Sequence, residues 1–261
     1  MTRTALKVIA VTALFLLSTP GAARAAGPCD DVPNQAQLKA QLVTARQAAN
    51  GGFNLDMWAT AVNRDGIVCA VAFTGGGRGD QWPGSRVISA QKANTANAFS
   101  LPGLALSTAN LYSAVQPGGS LFGLQLSNPV NTVVAYAGNA TAYGTANDPM
   151  GGGKIGGVNV FGGGLALYAA GKGLVGAIGV SGDSSCADHN IAWRTRANLQ
   201  MDYLTASGAG GVSGDATRPD NIVYDINSQP HQMNGVSASG WGHPVCSADA
   251  TNIAAGLPVV H

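Results

Sequence analysis

Glutamate is missing from this chain: every one of its 13 acidic residues is aspartate. That leaves carboxylate acid–base chemistry and metal ligation to aspartate alone. Charge of either sign is scarce, at 10% of residues, and no basic run interrupts the body of the chain. Both facts argue against nucleic acid as a partner. Beyond the first 25 residues there is no unbroken apolar run of about 18, the length a membrane-spanning helix needs. CxxC pairs and Cys/His ligand spacing are also lacking, which makes zinc a poor second reading of the cysteines.

The first 25 residues read as an export leader. Arg3 and Lys7 form a basic start, Val8 to Leu17 an apolar run, and Ala23-Arg24-Ala25 a small-x-small cleavage site. Pro28 stands before Cys29 where a lipoprotein needs a small residue. A secreted or periplasmic protein with no stable membrane anchor after cleavage is expected. Cleavage removes Arg3, Lys7 and Arg24 from 14 basic residues and none of the 13 acids, leaving a formal charge of −2. The four cysteines, Cys29, Cys69, Cys186 and Cys246, all lie beyond the leader. An even count in an exported chain suggests two disulfides with three possible connectivities. Cys29–Cys69 with Cys186–Cys246 is preferred, because it ties each end to the body.

Glycine is abundant, with 37 residues, so tight turns and close backbone packing should dominate. The segment after Pro33 predicts a helix with Leu38, Leu42, Ala45 and Ala49 on one face, capped by Asn34 and stopped at Asn50-Gly51-Gly52. Residues 57–62 and 67–73 form a hairpin around Asn63-Arg64-Asp65-Gly66. A glycine-rich loop containing Arg78-Gly79-Asp80 follows. Ser85 then caps a second, alanine-rich helix to about Phe99, whose small face invites close approach by a helix or a flat ligand. Residues 104–115 suggest a short helix and 121–126 a short strand. Residues 128–157 are a weakly patterned insertion with a sequon at Asn139-Ala140-Thr141.

Leu165–Ala170 and Leu174–Val180 form a second hairpin around Gly171-Lys172-Gly173. A last helix carries Ile191, Ala192, Thr195, Leu199 and Tyr203 on one face, with Arg194, Arg196 and Asn198 toward water. Ser207–Gly214 reads as a linker, and residues 215–261 as a polar tail with three of the four histidines and an edge strand at 222–226. The organisation is a body over 26–206 with its insertion, then an extension over 207–261.

Several motifs fail on context. Gly171 to Gly176 matches GxGxxG, but a strand follows where a dinucleotide site needs a helix N-terminus. Gly153-Lys154 is followed by Ile155, not Ser or Thr, so it is no P-loop. Gly179-Val180-Ser181-Gly182 approaches a nucleophile elbow, with Asp183 where the last glycine belongs. A Ser181/His189/Asp183 or Asp188 set is conceivable, and nothing in the spacing requires it.

The helix segment Ala90-Gln91-Lys92-Ala93-Asn94-Thr95-Ala96 and the run Gly173 to Gly182, with the Asn63–Gly66 turn, resemble the GlcG/HbpS-like family of haem-binding proteins over residues 33–206. The resemblance implies an α+β domain with an antiparallel sheet packed against helices, commonly in oligomers. It also implies a small-molecule ligand, haem or another flat anion. Many members carry Asp-Glu where this chain has Asp188-His189. By the resemblance, Thr95 would lie near the ligand. Arg86 and Lys92 would meet its propionates, and His189 is the stronger axial metal ligand. Two other readings stand beside haem binding: a cofactor-free homo-oligomeric scaffold, and a small-molecule enzyme with Asp183, Asp188 or His189 as base.

Overall fold

A computed structural model describes residues 27–227 and 235–261. The expected leader and His231 lie outside the described residues.

Helix α1, Gln35–Gln47, begins at Asn34 with a full capping box: Asn34 accepts from the Gln37 N–H, and the Gln37 side chain accepts from the Asn34 N–H. Leu38, Leu42 and Ala45 are buried, and each leucine side chain contributes roughly 1.5–3 kcal/mol by that burial. The helix stops before the Asn50-Gly51-Gly52 segment, leaving Ala49 exposed. Asn50 instead donates its amide to the carbonyls of Ala45 and Ala48.

Strands β1, Trp58–Asn63, and β2, Val68–Phe73, pair antiparallel. In their turn the Asn63 side-chain amide oxygen accepts from the N–H groups of Asp65 and Ile67. Helix α2 is Ser85–Phe99. Its cap position falls on Gly84, so Ser85 is the first helical residue and makes no side-chain cap. The expected helix over 104–115 is two 3-10 turns, Thr108–Leu111 and Ser113–Val115. Ser107 closes on Asn110 by donating both its N–H and its hydroxyl to the amide oxygen, which tightens the chain there. Residues 121–126 form no strand. Gly123 takes φ +87°, breaking extension before the one-turn helix α3, Leu124–Ser127. Within the insertion lies α4, Thr132–Ala135.

Strands β3, Gly164–Ala169, and β4, Gly173–Ser181, form the second hairpin. Gly171 and Gly173 take φ +69° and +70° in its turn, so the GxGxxG match is hairpin chemistry. Helix α5 is Ser185–Asn198. Then come the two-residue strands β5, Ile226–Asn227, and β6, Val236–Ser237, and helix α6, Ala248–Ala255.

The main sheet has the order β2-β1-β4-β3, antiparallel throughout. Alternation along β1 sends Trp58 and Val62 to one face and Ala59 and Ala61 to the other. On the first face lie α2 and the insertion, through Ala90, Ala93, Ala96, Ala135, Met150 and Ile155. The second face carries α1, α5 and α6. The alanine face of α2 is filled by strand β4. A Cβ on Gly179 would come within 2.0 Å of the Ser89 carbonyl oxygen. The small residues therefore serve sheet-to-helix contact.

Arg196 is fully buried, contrary to the water-facing position its spacing suggested, because it pairs with Asp220 of the tail. The tail shares the main core through Ile222, Ala250, Ala254, Leu257 and Val260. Residues 222–225 add no edge to the main sheet; Ile226 and Asn227 pair with β6 in a separate ribbon. In the expected linker, the Gly210 carbonyl accepts from the Ala105 N–H at 2.8 Å. The disulfides join Cys29 to Cys69 and Cys186 to Cys246. No described helix is long and apolar enough to cross a membrane.

Candidate functional site

The start of β1, the loop after β2, the first turn of α2 and the insertion meet around a cavity of about 350 Å³. Trp58, Pro83, Tyr136 and Tyr143 wall it, with Arg78 and Arg86. Trp58 is held edge-on by Phe73, ring centroids 5.1 Å apart, and its buried indole N–H has no partner among the described residues. The Arg86 guanidinium lies 3.6 Å from the Tyr143 ring centroid, a cation–π contact. Arg86 donates to Asp148 through Nε at 3.0 Å and through Nη2, and to the Ala135 carbonyl through Nη1 at 2.7 Å. Its charge is thereby neutralised by Asp148. Arg78 is exposed at the rim and has no ion-pair partner among the described residues.

Of the four ligand-contacting residues expected from the sequence, only Arg86 lines this groove. Lys92 is buried, its ammonium 2.7 Å from Asp188 Oδ2 and 3.0 Å from the Val180 carbonyl. It does not snorkel to solvent. Thr95 is buried, donating to the Gln91 carbonyl at 2.8 Å and accepting from the Asn159 N–H. His189 is fully buried on the opposite side of the sheet, its Nε2 facing the Asn221 amide oxygen at 3.1 Å. Its Nδ1 has no partner among the described residues. Burial drives the His189 pKa down to about 4, so the ring is neutral.

Asp188 is pushed up to about 6 by burial, although Lys92 and the Asp183 N–H pull the other way. The Asp183 carboxylate is committed to the N–H groups of Phe53 and Leu55. Neither Asp188 nor His189 lines the groove. His189 meets Asn221 and the Ile222 N–H, and Ser181 is not its partner. The elbow-like run is the end of β4 leading into α5.

A second cavity of about 400 Å³ opens near Asn50, Asp183 and Asp249. Arg46 also lines it, so its two carboxylates face one cation. Among the described residues, the one group of three close metal-ligating side chains is Cys186, His243 and Cys246. His189 is not in it.

Sequence reasoning missed Trp58, Tyr136 and Tyr143 as groove walls. Arg78 was visible only inside a tripeptide. The available signal was composition: aromatics are 6% of the chain, and two tyrosines stand seven residues apart in an otherwise small, polar insertion.

The fold is an α+β domain built on a four-stranded antiparallel sheet. The chain belongs to the family described as haem degrading protein HbpS-like, whose model matches residues 34–197. No curated protein matches it. Among solved structures, a PduOC:haem complex is 24% identical with a TM-score of 0.43, covering 62% of this chain and 89% of that one. The Klebsiella pneumoniae protein ORFY, of the DUF336 family, is 25% identical with a TM-score of 0.42, covering 64% and 90%. An HbpS structure is 16% identical with a TM-score of 0.39, covering 62% and 84%.

Proposed function

We propose that the protein binds haem, or another flat anionic small molecule, in the groove between the start of α2 and the insertion. Membership of the HbpS-like family supports the ligand class. The observation that carries the reading is the groove itself: a cavity of about 350 Å³ walled by aromatic side chains, with the exposed Arg78 at its rim. That volume sits at the low end of the roughly 300–1,000 Å³ usual for small-molecule sites, so a porphyrin would keep one edge in water.

The donor set fits. Tyr136 and the face of Tyr143 not covered by Arg86 offer aromatic surface above the buried Trp58, and Arg78 offers a guanidinium for carboxylates. Tyr136, 63% exposed, offers a phenol oxygen, one of the protein donors that hold haem iron. Haem, when bound, would supply the redox and ligand chemistry of its iron. Arg86 takes part as a wall, its charge already matched by Asp148. Lys92, Thr95 and His189 would meet the ligand only through an opening of the layers that enclose them.

The two disulfides support export, because such bonds persist in oxidising compartments. Exposed Phe122, Leu126 and Val133 support homo-oligomer formation. The test is a hemin titration of the oxidised protein, followed at the Soret band. A saturable shift is expected. Binding no stronger than that of an unrelated control protein would sink the proposal and leave the cofactor-free scaffold.

A further inference from the structure

The disulfide between α5 and the tail has an unusual neighbour. Ligand atoms of Cys186, His243 and Cys246 all lie within 4.8 Å of one another. His243 is 2% exposed, and its Nδ1 lies 2.8 Å from the Pro244 carbonyl, which makes Nδ1 the donor. The Nε2 is then a bare lone pair, buried and without a partner among the described residues. A buried acceptor left unsatisfied costs stability, so its retention calls for an explanation. The zinc reading set aside on spacing returns here through the fold, which brings residue 186 against residues 243 and 246.

We propose that reduction of the Cys186–Cys246 disulfide uncovers a three-ligand site for a thiophilic cation such as Zn²⁺, formed by two thiolates and the His243 imidazole. A dithiol would supply the electrons. Its thiolate attacks the exposed Cys246 sulfur, and Cys186 leaves as thiolate. The second thiol then displaces Cys246, and the reagent departs as its own disulfide. The cation replaces the protons of the two cysteine thiols.

Zn–S distances of about 2.3 Å and Zn–N distances of about 2.0 Å put tetrahedral ligand atoms roughly 3.5–3.8 Å apart, a movement of about 1–2 Å from the present cluster. Cys246 Sγ already accepts from the Cys186 N–H at 3.2 Å, in the first turn of the 14-residue helix α5. That position favours a thiolate over a thiol. Cys246 is the exposed member of the three, so solvent and a cation can reach the cluster from its side. A bound cation would hold the tail on α5 in place of the covalent bond, so the tail stays docked in both redox states.

Co²⁺ is the probe, because thiolate ligation gives it a charge-transfer band and tetrahedral geometry gives it visible d–d bands. The protein carries Cys29→Ser with Cys69→Ser, so that only the second disulfide is reduced, by a phosphine under nitrogen. Both bands should saturate at one equivalent of Co²⁺ and be absent from the oxidised protein. His243→Gln should weaken Co²⁺ by at least the ~10-fold that loss of an outer-shell partner alone costs. Circular dichroism on the same samples reports the fold. No band after reduction, a band indifferent to His243→Gln, or loss of the fold before Co²⁺ binds would each overturn the proposal.

Discussion

The insertion over 128–157 and the tail over 207–261 are docked by the same device with different outcomes. Each is held to the body by one buried Arg–Asp pair. Arg86 on α2 takes Asp148 of the insertion, and Arg196 on α5 takes Asp220 of the tail. Around Arg196 the chain closes completely. Its guanidinium reaches Asp220 at 2.5 and 2.8 Å and lies 4.5 Å from the Trp193 ring centroid, and the Cys186–Cys246 bond stands on the same helix. Around Arg86 no covalent tie exists, and the packing ends in a groove under Tyr136 and Tyr143. A matched ion pair can thus serve as a sealed strut or as one wall of an open site. What decides is whether the surrounding side chains finish the layer.

The largest effect should follow Asp220→Asn. It leaves Arg196 charged and fully enclosed, which costs about 3–5 kcal/mol, read as a lower denaturant midpoint. A loss under about 1 kcal/mol would mean the tail is not sealed as described.

Acid should discriminate between the two regions. His189 and His243 are both held near pKa 4 by burial, and both touch tail residues, Asn221 and Pro244. Their ordinary value is about 6.5, so the stability they contribute as neutral rings is complete above that pH. It is lost as pH falls through about 4. Asp188, raised to about 6, acts with the opposite sign: its contribution is complete below about pH 4 and lost as pH rises through 6. Two histidines outweigh one aspartate, so acidification from pH 7 to 4.5 should cost on the order of 2–3 kcal/mol. Hydrogen exchange should accelerate around 220–223 and 243–246 before it does around 132–150. Uniform acceleration would remove the contrast.

Asp148→Asn should cost less than Asp220→Asn, about 1–3 kcal/mol. Arg86 keeps the Ala135 carbonyl and can take water from the groove. The insertion should then exchange faster while the rest of the protein is unchanged. Lys172→Ala should do least. Its pair with Asp31 is about half exposed on both sides, and thermal unfolding should shift by no more than about 1 kcal/mol allows.

Much of the frame was legible because it is written in local chemistry. Asn34 with Gln37 marks a helix start, Asp65-Gly66 and Gly171-Lys172-Gly173 mark hairpins, and the family resemblance rests on residues within these elements. The disulfide pairing followed from tying ends to a body. Long-range choices were not legible. Arg196 has the spacing of a surface residue until Asp220 arrives from 24 positions away. The small face of α2 looks the same whether a ligand or β4 will cover it, and only the 2.0 Å approach at Gly179 decides. Lys92 and Thr95 were read from a helix motif, yet their surroundings come from Asp188 and Asn159. The groove joins four separate stretches, two of them with no regular periodicity of their own.

The most direct measurement compares hemin affinity in Arg78→Ala and His189→Ala against the unsubstituted protein. With the groove as the site, Arg78→Ala should lose about 1.5 kcal/mol of one charge-assisted contact, roughly tenfold in Kd, with folding unchanged. His189→Ala, checked to be folded, should bind as before. The reverse pattern, affinity lost with His189 and kept without Arg78, would contradict the groove and move the ligand to the α5 side of the sheet.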